Sequence, residues 1–329
     1  MTYAIEAEGL EKSFGDTCAL DGVDLAVPAG TVLGVLGPNG AGKTTALRIL
    51  ATLLRPDAGR ARVAGHDVLR DPVSVRRVIG LTGQYASVDE VLTGRENLVL
   101  FGRLLGLGTR AATKRTCELL EEFGLSAAAD RGVRTYSGGM RRRLDLAACL
   151  IGHPEVIFLD EPTTGLDPSK RDDLWETIRC LTRSGTTILL TTQYLQEAEA
   201  LADVVTVIDA GRVIAQGTPA ELKQIVGNRT LRVRPADRRD LDDVRAVLAR
   251  ATGHSVEPVS GLLSVPADDT VLPGVVADLA RRGIRVTELA LTLPDLDEVF
   301  FTLTGRGRPR APESASAGTT SALREELIP

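Results

Sequence analysis

The run Gly37-Pro38-Asn39-Gly40-Ala41-Gly42-Lys43-Thr44-Thr45 constrains this chain more than any other stretch. It matches G-x-x-x-x-G-K-[ST] and lies between a short apolar run, Thr31 to Leu36, and a segment in which Leu47, Leu50, Leu53 and Leu54 recur at helical spacing. Strand, glycine loop and helix in that order make a cradle for phosphate. The glycines let backbone N–H groups turn inward, and the helix offers its positive N-terminus. Lys43 is spaced to reach β- and γ-phosphates, and the Thr44 hydroxyl to ligate Mg2+. Average composition yields such a match by chance in roughly one chain of this length in a hundred. The helix is expected to continue to Arg55, where Pro56-Asp57-Ala58-Gly59 reads as a turn.

A second pattern completes the chemistry. The apolar run Val156 to Leu159 ends in Asp160 and Glu161. A buried strand that delivers an aspartate beside a phosphate cradle is the arrangement for holding Mg2+, directly or through water. Glu161 is then placed to polarise an attacking water. No guanine-reading N-K-x-D motif is present, which disfavours GTP. A third pattern, Tyr136-Ser137-Gly138-Gly139-Met140, opens a helix with a hydroxyl and consecutive N–H groups, again a pocket for anionic oxygens. Read alone it is either a simple helix cap or a cradle for ATP held by another subunit. The second reading implies a homodimer or heterodimer with ATP at its interface.

Composition bounds the rest. The chain has 329 residues, enough for about two domains, and 44 Asp+Glu against 39 Lys+Arg give a net charge of −5. That balance and an aromatic content of 3% argue against a nucleic-acid partner. The basic residues are mostly arginine, which reads as a genome composition bias rather than a binding signal. The N-terminal residues lack a basic start followed by an apolar run, so no signal peptide is expected. The nearest approach to a membrane span, Leu98 to Gly108, is short and broken by Arg103. Cys18, Cys117, Cys149 and Cys180 are isolated and are expected to be buried reduced thiols.

Short β-like runs at Tyr3 to Glu8 and Ala19 to Val27 suit an antiparallel sheet. The pattern is helical from about Ser87 to Leu150, then strands at Val156 to Leu159, Thr186 to Leu190 and Val204 to Ile208 alternate with helices at Ser169 to Leu181 and Leu195 to Leu201. Such alternation predicts a largely parallel α/β sheet. Past Gly227, strands at Leu231 to Arg234, Ser255 to Pro258, Leu262 to Val265 and Ile284 to Leu289 frame helices at Asp240 to Arg250 and Leu272 to Arg282. The order β-α-β-β-α-β suits a ferredoxin-like unit. A further helix is expected at Asp295 to Leu303, and residues 306–329 read as a disordered tail. No internal repeat is visible.

Taken in order, the Gly37–Thr45 run, Gln84, YSGGM, VIFLDEPTTGLD and Thr191-Thr192-Gln193 resemble the ATP-binding subunit of an ABC transporter. The resemblance implies a P-loop cassette over residues 1–225, with a RecA-like parallel core, an antiparallel subdomain and a helical subdomain near 87–150. A small α+β domain over 226–305 would follow. It implies that Phe14 stacks on adenine and that Gln84 senses Mg2+ and the membrane partner. It further implies that Ser137, Gly138 and Gly139 close on the γ-phosphate of a second subunit's ATP, and that Asp167 lies in the loop crossing that interface. YSGGM replaces the commoner LSGGQ, a mild change. Gln193 stands where most members carry a histidine; an amide still donates a hydrogen bond to phosphate but cannot exchange a proton. Slower or differently regulated hydrolysis is expected, with Glu161, Lys43 and Gln193 as the catalytic set.

LLTTQYLQEAEALAD and LPDLDEVFFTLTG also resemble the daunorubicin-resistance branch of multidrug and antibiotic exporters. That implies a separate multi-span permease, a second ATP-binding subunit, ATP and Mg2+ as cofactors, and a peripheral place on the cytoplasmic face of a bacterial plasma membrane. The stretch Leu98 to Leu107 is either core-facing or part of the surface that docks on such a permease. A soluble ATPase acting on ribosomes or DNA is the alternative, weakened by a single cassette, no sustained heptads and no paired cysteines. A lipid or glycolipid exporter shares the same motifs.

Overall fold

The computed structural model describes residues 2–83, 88–225, 229–256, 258–259 and 261–292. Gln84, the expected helix at 295–303 and the expected tail at 306–329 lie outside the described residues. The chain opens with β1 (Tyr3–Phe14), β2 (Thr17–Pro28), β3 (Val32–Leu36) and α1 (Lys43–Leu50), then β4 (Ala58–Val63), β5 (His66–Asp67), α2 (Pro72–Val78) and β6 (Ile79–Thr82). A helical stretch follows: α3 (Gly94–Leu104), α4 (Thr109–Glu122) and α5 (Gly138–Leu150). Next come β7 (Val156–Asp160), α6 (Pro168–Arg183), β8 (Thr187–Thr192), α7 (Leu195–Leu201), β9 (Val204–Asp209), β10 (Arg212–Gly217) and α8 (Pro219–Ile225). The last described elements are β11 (Arg229–Pro235), α9 (Leu241–Thr252), β12 (Pro258–Val259), β13 (Leu262–Ala267), α10 (Val271–Arg281) and β14 (Val286–Thr292).

The apolar runs become a six-stranded sheet ordered β10-β9-β3-β8-β7-β6, parallel except for the β10 edge. Its inner strands are apolar throughout because both faces are covered. Val32 and Leu36 of β3 face the core shared with α3 to α7, whereas Leu33 and Val35 face the core shared with α1 and the β1–β2 hairpin. Phe158 of β7 is fully buried in the second core. Burial of a side chain of that size stabilises by about 2–3 kcal/mol. The β2-β1-β4-β5 sheet covers this face through Ile5, Leu10, Leu20 and Val63.

Several expectations are corrected. Helix α1 stops at Leu50, not Arg55. Thr52 adopts φ 61°, the Thr52 amide donates to Ile49 O at 3.0 Å and the Leu53 amide to Arg48 O at 2.8 Å. That is a Schellman ending with threonine in the place glycine usually takes. Ala58 and Gly59, read as a turn, begin β4, and α2, β6 and β10 were not anticipated. Cys18, Cys117 and Cys180 are exposed rather than buried, and Cys149 is partly buried with its thiol donating to Leu81 O at 3.0 Å. All four are free.

Strands β11 to β14 form a third, antiparallel sheet ordered β12-β13-β11-β14, packed on α9 and α10 around Leu231, Val244, Leu248, Leu263 and Val275. On α3, Leu98 is buried while Leu100 and Leu104 are exposed, as is Leu105 just past its end, so the stretch serves the core on one side only. Among the described residues, no helix is long and apolar enough to cross a membrane.

Candidate functional site

The glycine loop lies at the carboxyl end of β3, where α/β sheets gather ligands. Its glycines are dictated by crowding. A Cβ on Gly37 would stand 2.2 Å from Ile208 O, and one on Gly42 2.4 Å from Ala19 O. Gly42 also takes φ 107°, closed to L side chains without strain. The loop is therefore held between the end of β9 and the start of β2. The Gly37 amide donates to Thr192 O at 3.3 Å, and the Ala41 amide to Pro38 O at 3.2 Å. The first amides of α1 have no carbonyl of their own helix to bond, and the residues that carry them, Lys43, Thr44 and Thr45, line the cavity beside the loop.

That cavity holds about 690 Å3 and is lined by Phe14, Asn39, Gly40, Ala41, Gly42, Lys43, Thr44, Thr45, Glu161, Thr164 and Gln193, with Ala19. The fold thus brings the loop, Phe14, Glu161 and Gln193 together from β1, α1, the end of β7 and the end of β8. Phe14 is half exposed on the hairpin, with the Lys12 ammonium 5.6 Å from its ring centroid. Lys43 is 4% exposed; its ammonium donates to Gly37 O at 2.8 Å and Pro38 O at 3.1 Å and lies 3.6 Å from Glu161 Oε1. Burial pulls the Lys43 ammonium below the usual lysine range, against the opposing pull of Glu161 and Asp160.

Asp160 is buried at the end of β7. Its Oδ1 accepts from Thr44 Oγ1 at 2.9 Å and from Thr191 Oγ1 at 2.6 Å. A hydroxyl and a carboxylate oxygen so close together are hard donors suited to Mg2+. No cluster of three or more His, Cys, Asp or Glu able to hold a metal occurs among the described residues. The donor set thus fits an ion that takes its other ligands from phosphate and water. Glu161 follows at φ 49°, a left-handed turn that costs about 1–3 kcal/mol in a non-glycine residue. The Glu161 amide donates to Thr191 O at 3.0 Å, which fixes the turn, and Thr164 Oγ1 donates to Glu161 Oε2 at 3.3 Å.

Ser137, Gly138 and Gly139 do not line this cavity. Ser137 caps α5, accepting from the Met140 amide at 3.3 Å, and with Gly139 lines a separate cleft of about 210 Å3 that includes Leu166 and Lys170. Asp167 caps α6 by accepting from the Lys170 amide at 3.0 Å, and its carboxylate also pairs with the Lys170 ammonium. These bonds hold the Asp167 carboxyl below its usual range.

Two residues that sequence reasoning passed over bind the site together. Thr191 fastens Asp160 and Glu161; the signal was the threonine pair before Gln193. Arg142, read within an arginine-rich background, is mostly buried and donates to Pro162 O at 3.1 Å, Gly83 O at 2.9 Å and Asp145 Oδ2 at 3.3 Å. It ties α5 to the segments after β6 and β7. No spacing rule singles out that arginine.

Residues 20–164 match the family described as ABC transporter. The chain is 56% identical to the daunorubicin resistance ATP-binding protein DrrA2 of Streptomyces coeruleorubidus, over 92% of this chain and 95% of that one. The chain belongs to the ATP-binding proteins of ABC transporters. It is also 53% identical to the daunorubicin/doxorubicin resistance ATP-binding protein DrrA of Streptomyces peucetius, over 92% of this chain and 93% of that one. Among solved structures it is similar to cbiO1 of Clostridium perfringens, part of an ABC transporter complex. That match has a TM-score of 0.63 and 27% identity, and covers 69% of this chain and 94% of the other. The sheet and helices around the glycine loop are accordingly an ABC ATPase cassette, an enzyme whose ATP hydrolysis is coupled to transport.

Proposed function

We propose that this chain powers export of drug-like or antibiotic molecules, working as a dimer on the cytoplasmic face of a bacterial plasma membrane beside a separate multi-span permease. The observation that carries the reading is identity of 56% with a daunorubicin resistance ATP-binding protein across nearly the whole of both chains. A ribosome- or DNA-acting ATPase has no comparable support.

The residues divide the work as follows. Phe14 stacks on the adenine, and the amides of Gly40 to Thr45 bond the phosphates of ATP. Lys43 leaves Gly37 O and Pro38 O to meet the β- and γ-phosphates, exchanging neutral acceptors for charged ones. Thr44 and Asp160 hold Mg2+, which supplies charge neutralisation on the phosphates, and Gln84 is assigned to the same ion and to the permease. Glu161 orients the attacking water, its carboxylate freed as Lys43 turns to phosphate. Gln193 donates its amide to the γ-phosphate without exchanging a proton.

The separation of Ser137 and Gly139 from the Lys43 cavity supports the dimer. Ser137, Gly138 and Gly139 face the ATP held by a second copy, with Asp167 in the loop between. Contacts to phosphate from both chains favour closure, and hydrolysis removes them.

Glu161→Gln tests the closure. The variant is expected to lose about 10²–10⁴-fold in hydrolysis yet to elute as an ATP-dependent dimer; a monomer under saturating ATP would sink the mechanism. For the transport reading, a mild-detergent pull-down from the host's membranes should recover a multi-span protein near one-to-one. Vesicles holding that pair should accumulate daunorubicin when ATP is supplied. Recovery from the soluble fraction alone would overturn it.

A further inference from the structure

Glu197 is a carboxylate to which the nucleotide reading gives no task. It lies on the first turn of α7, shortly after Gln193, and is 1% exposed. The hydroxyls of Thr192 and Thr163 and the indole N–H of Trp175 face it, and the Arg171 and Arg142 guanidinium groups supply opposing charge. Burial nevertheless pushes its carboxyl above the usual range. Both Glu197 oxygens, Thr163 Oγ1, Trp175 Nε1 and the Arg171 Nε are buried, and none completes a hydrogen bond of good geometry. Donors and acceptors that face one another with their bonds unclosed are destabilising. A small displacement of α6 or α7 that closes them is correspondingly favoured.

The groups around Glu197 belong to two loops of the site. Thr192 Oγ1 accepts from the Tyr194 amide at 2.9 Å and so shapes the turn that carries Gln193. The Tyr194 ring lies 5.7 Å from the Arg171 guanidinium. Thr163 begins the loop that leads from Glu161 to Asp167, and Arg171 and Trp175 stand on the helix that Asp167 caps. We infer that Glu197 is a positioning residue whose carboxyl joins the Gln193 turn to the Asp167 loop, so that the two shift together when nucleotide binds. The inference rests on the proposed assignment of those loops to ATP and to the second subunit.

Trp175 is the only tryptophan in the chain, so its emission reports on this cluster directly. In the full chain, MgATP should shift that emission. Glu197→Ala should reduce the response at least about fivefold and kcat about tenfold, the size of one lost buried hydrogen bond, with KM and ATP affinity by equilibrium dialysis within about twofold. Glu197→Gln, which keeps the shape and can still bond Thr192 and Trp175, should restore most of both. An undiminished response in Glu197→Ala, or a parent that binds ATP with no change in emission, overturns the inference. A parent that fails to bind ATP overturns the nucleotide reading itself, and the coupling with it. If Glu197→Ala melts below the assay temperature, Glu197→Asp carries the test: loss of the response supports the link, and an intact response refutes it.

Discussion

The Lys43 cavity and the Ser137 cleft are both built from loop-to-helix junctions, yet they are finished to different degrees. Around Lys43, the ammonium, Asp160, Thr44 and Thr191 are bonded to one another or to the loop backbone, and most are buried. Ser137, Gly138 and Asp167 are exposed; Ser137 and Asp167 cap their helices, and Asp167 also pairs with the Lys170 ammonium. A site satisfied within its own chain binds its ligand by rearranging internal bonds. A surface of free donors needs a ligand brought to it. On the proposed reading, one chain offers a whole cradle and half of another.

The sharpest way to break this contrast is to damage the two regions in different chains. Lys43→Ala and Gly138→Asp should each lower ATP hydrolysis by about 10²–10³-fold, the first by removing a cation from phosphate and the second by placing an anion against it. A Cβ at Gly138 meets nothing within 4 Å, so the second variant should fold. Mixed in equal amounts, they should recover roughly a quarter of the parent rate, because random pairing gives half the dimers one intact site. No recovery would mean that both regions serve ATP within one chain.

Next in size is Thr44→Val, which keeps the shape and removes the hydroxyl bonded to Asp160. Hydrolysis should fall about 10-fold or more and need more Mg2+, since loss of a ligand-orienting bond typically has this effect. A Mg2+ titration of the rate checks it. Phe14→Ala should weaken ATP binding about fivefold to tenfold, as lost stacking of about 1–1.5 kcal/mol requires, measured by equilibrium dialysis. An ADP affinity lowered by the same factor would place the loss at the base rather than the γ-phosphate.

The smallest effect concerns Glu197, which sits between the two regions. Its carboxyl is raised in the folded chain, so the folded state binds the proton more tightly than the unfolded one. Its contribution to stability is therefore full below the ordinary glutamate value and declines as pH rises through the raised one. Glu197→Gln removes that slope. Its melting temperature relative to the parent should be higher at pH 8 than at pH 5, and a difference independent of pH would contradict the assignment.

The two regions were also unequally legible. The glycine loop could be read because each glycine answers a local demand, a left-handed turn or a carbonyl close by. Strands β3, β7, β8 and β9 could be read because burial on both faces leaves uninterrupted apolar runs. Strand β6 was missed because Ile79-Gly80-Leu81-Thr82 is short, lies at the sheet edge and contains a glycine. The end of α1 was misplaced because leucines at helical spacing continue past the Schellman turn, and Thr52 carries no glycine signal. Arg142 and Glu197 act through partners distant in sequence, so a linear reading has nothing to mark them, whereas Thr191 carries only the signal of the threonine pair before Gln193. The exposed cysteines show the converse error, a residue-type average applied to strand and helix surfaces.

The pinning of Gly37 by Ile208 O and of Gly42 by Ala19 O has a consequence for biosynthesis. Half of that clamp belongs to β9, which the ribosome makes long after the loop itself, and β9 inserts beside β3 at the centre of the sheet. A nascent chain halted before Val204 carries the whole glycine motif but lacks the strand that holds its first glycine in place. Tight nucleotide binding should therefore begin only once β9 has left the exit tunnel, making ATP a ligand of the nearly complete cassette.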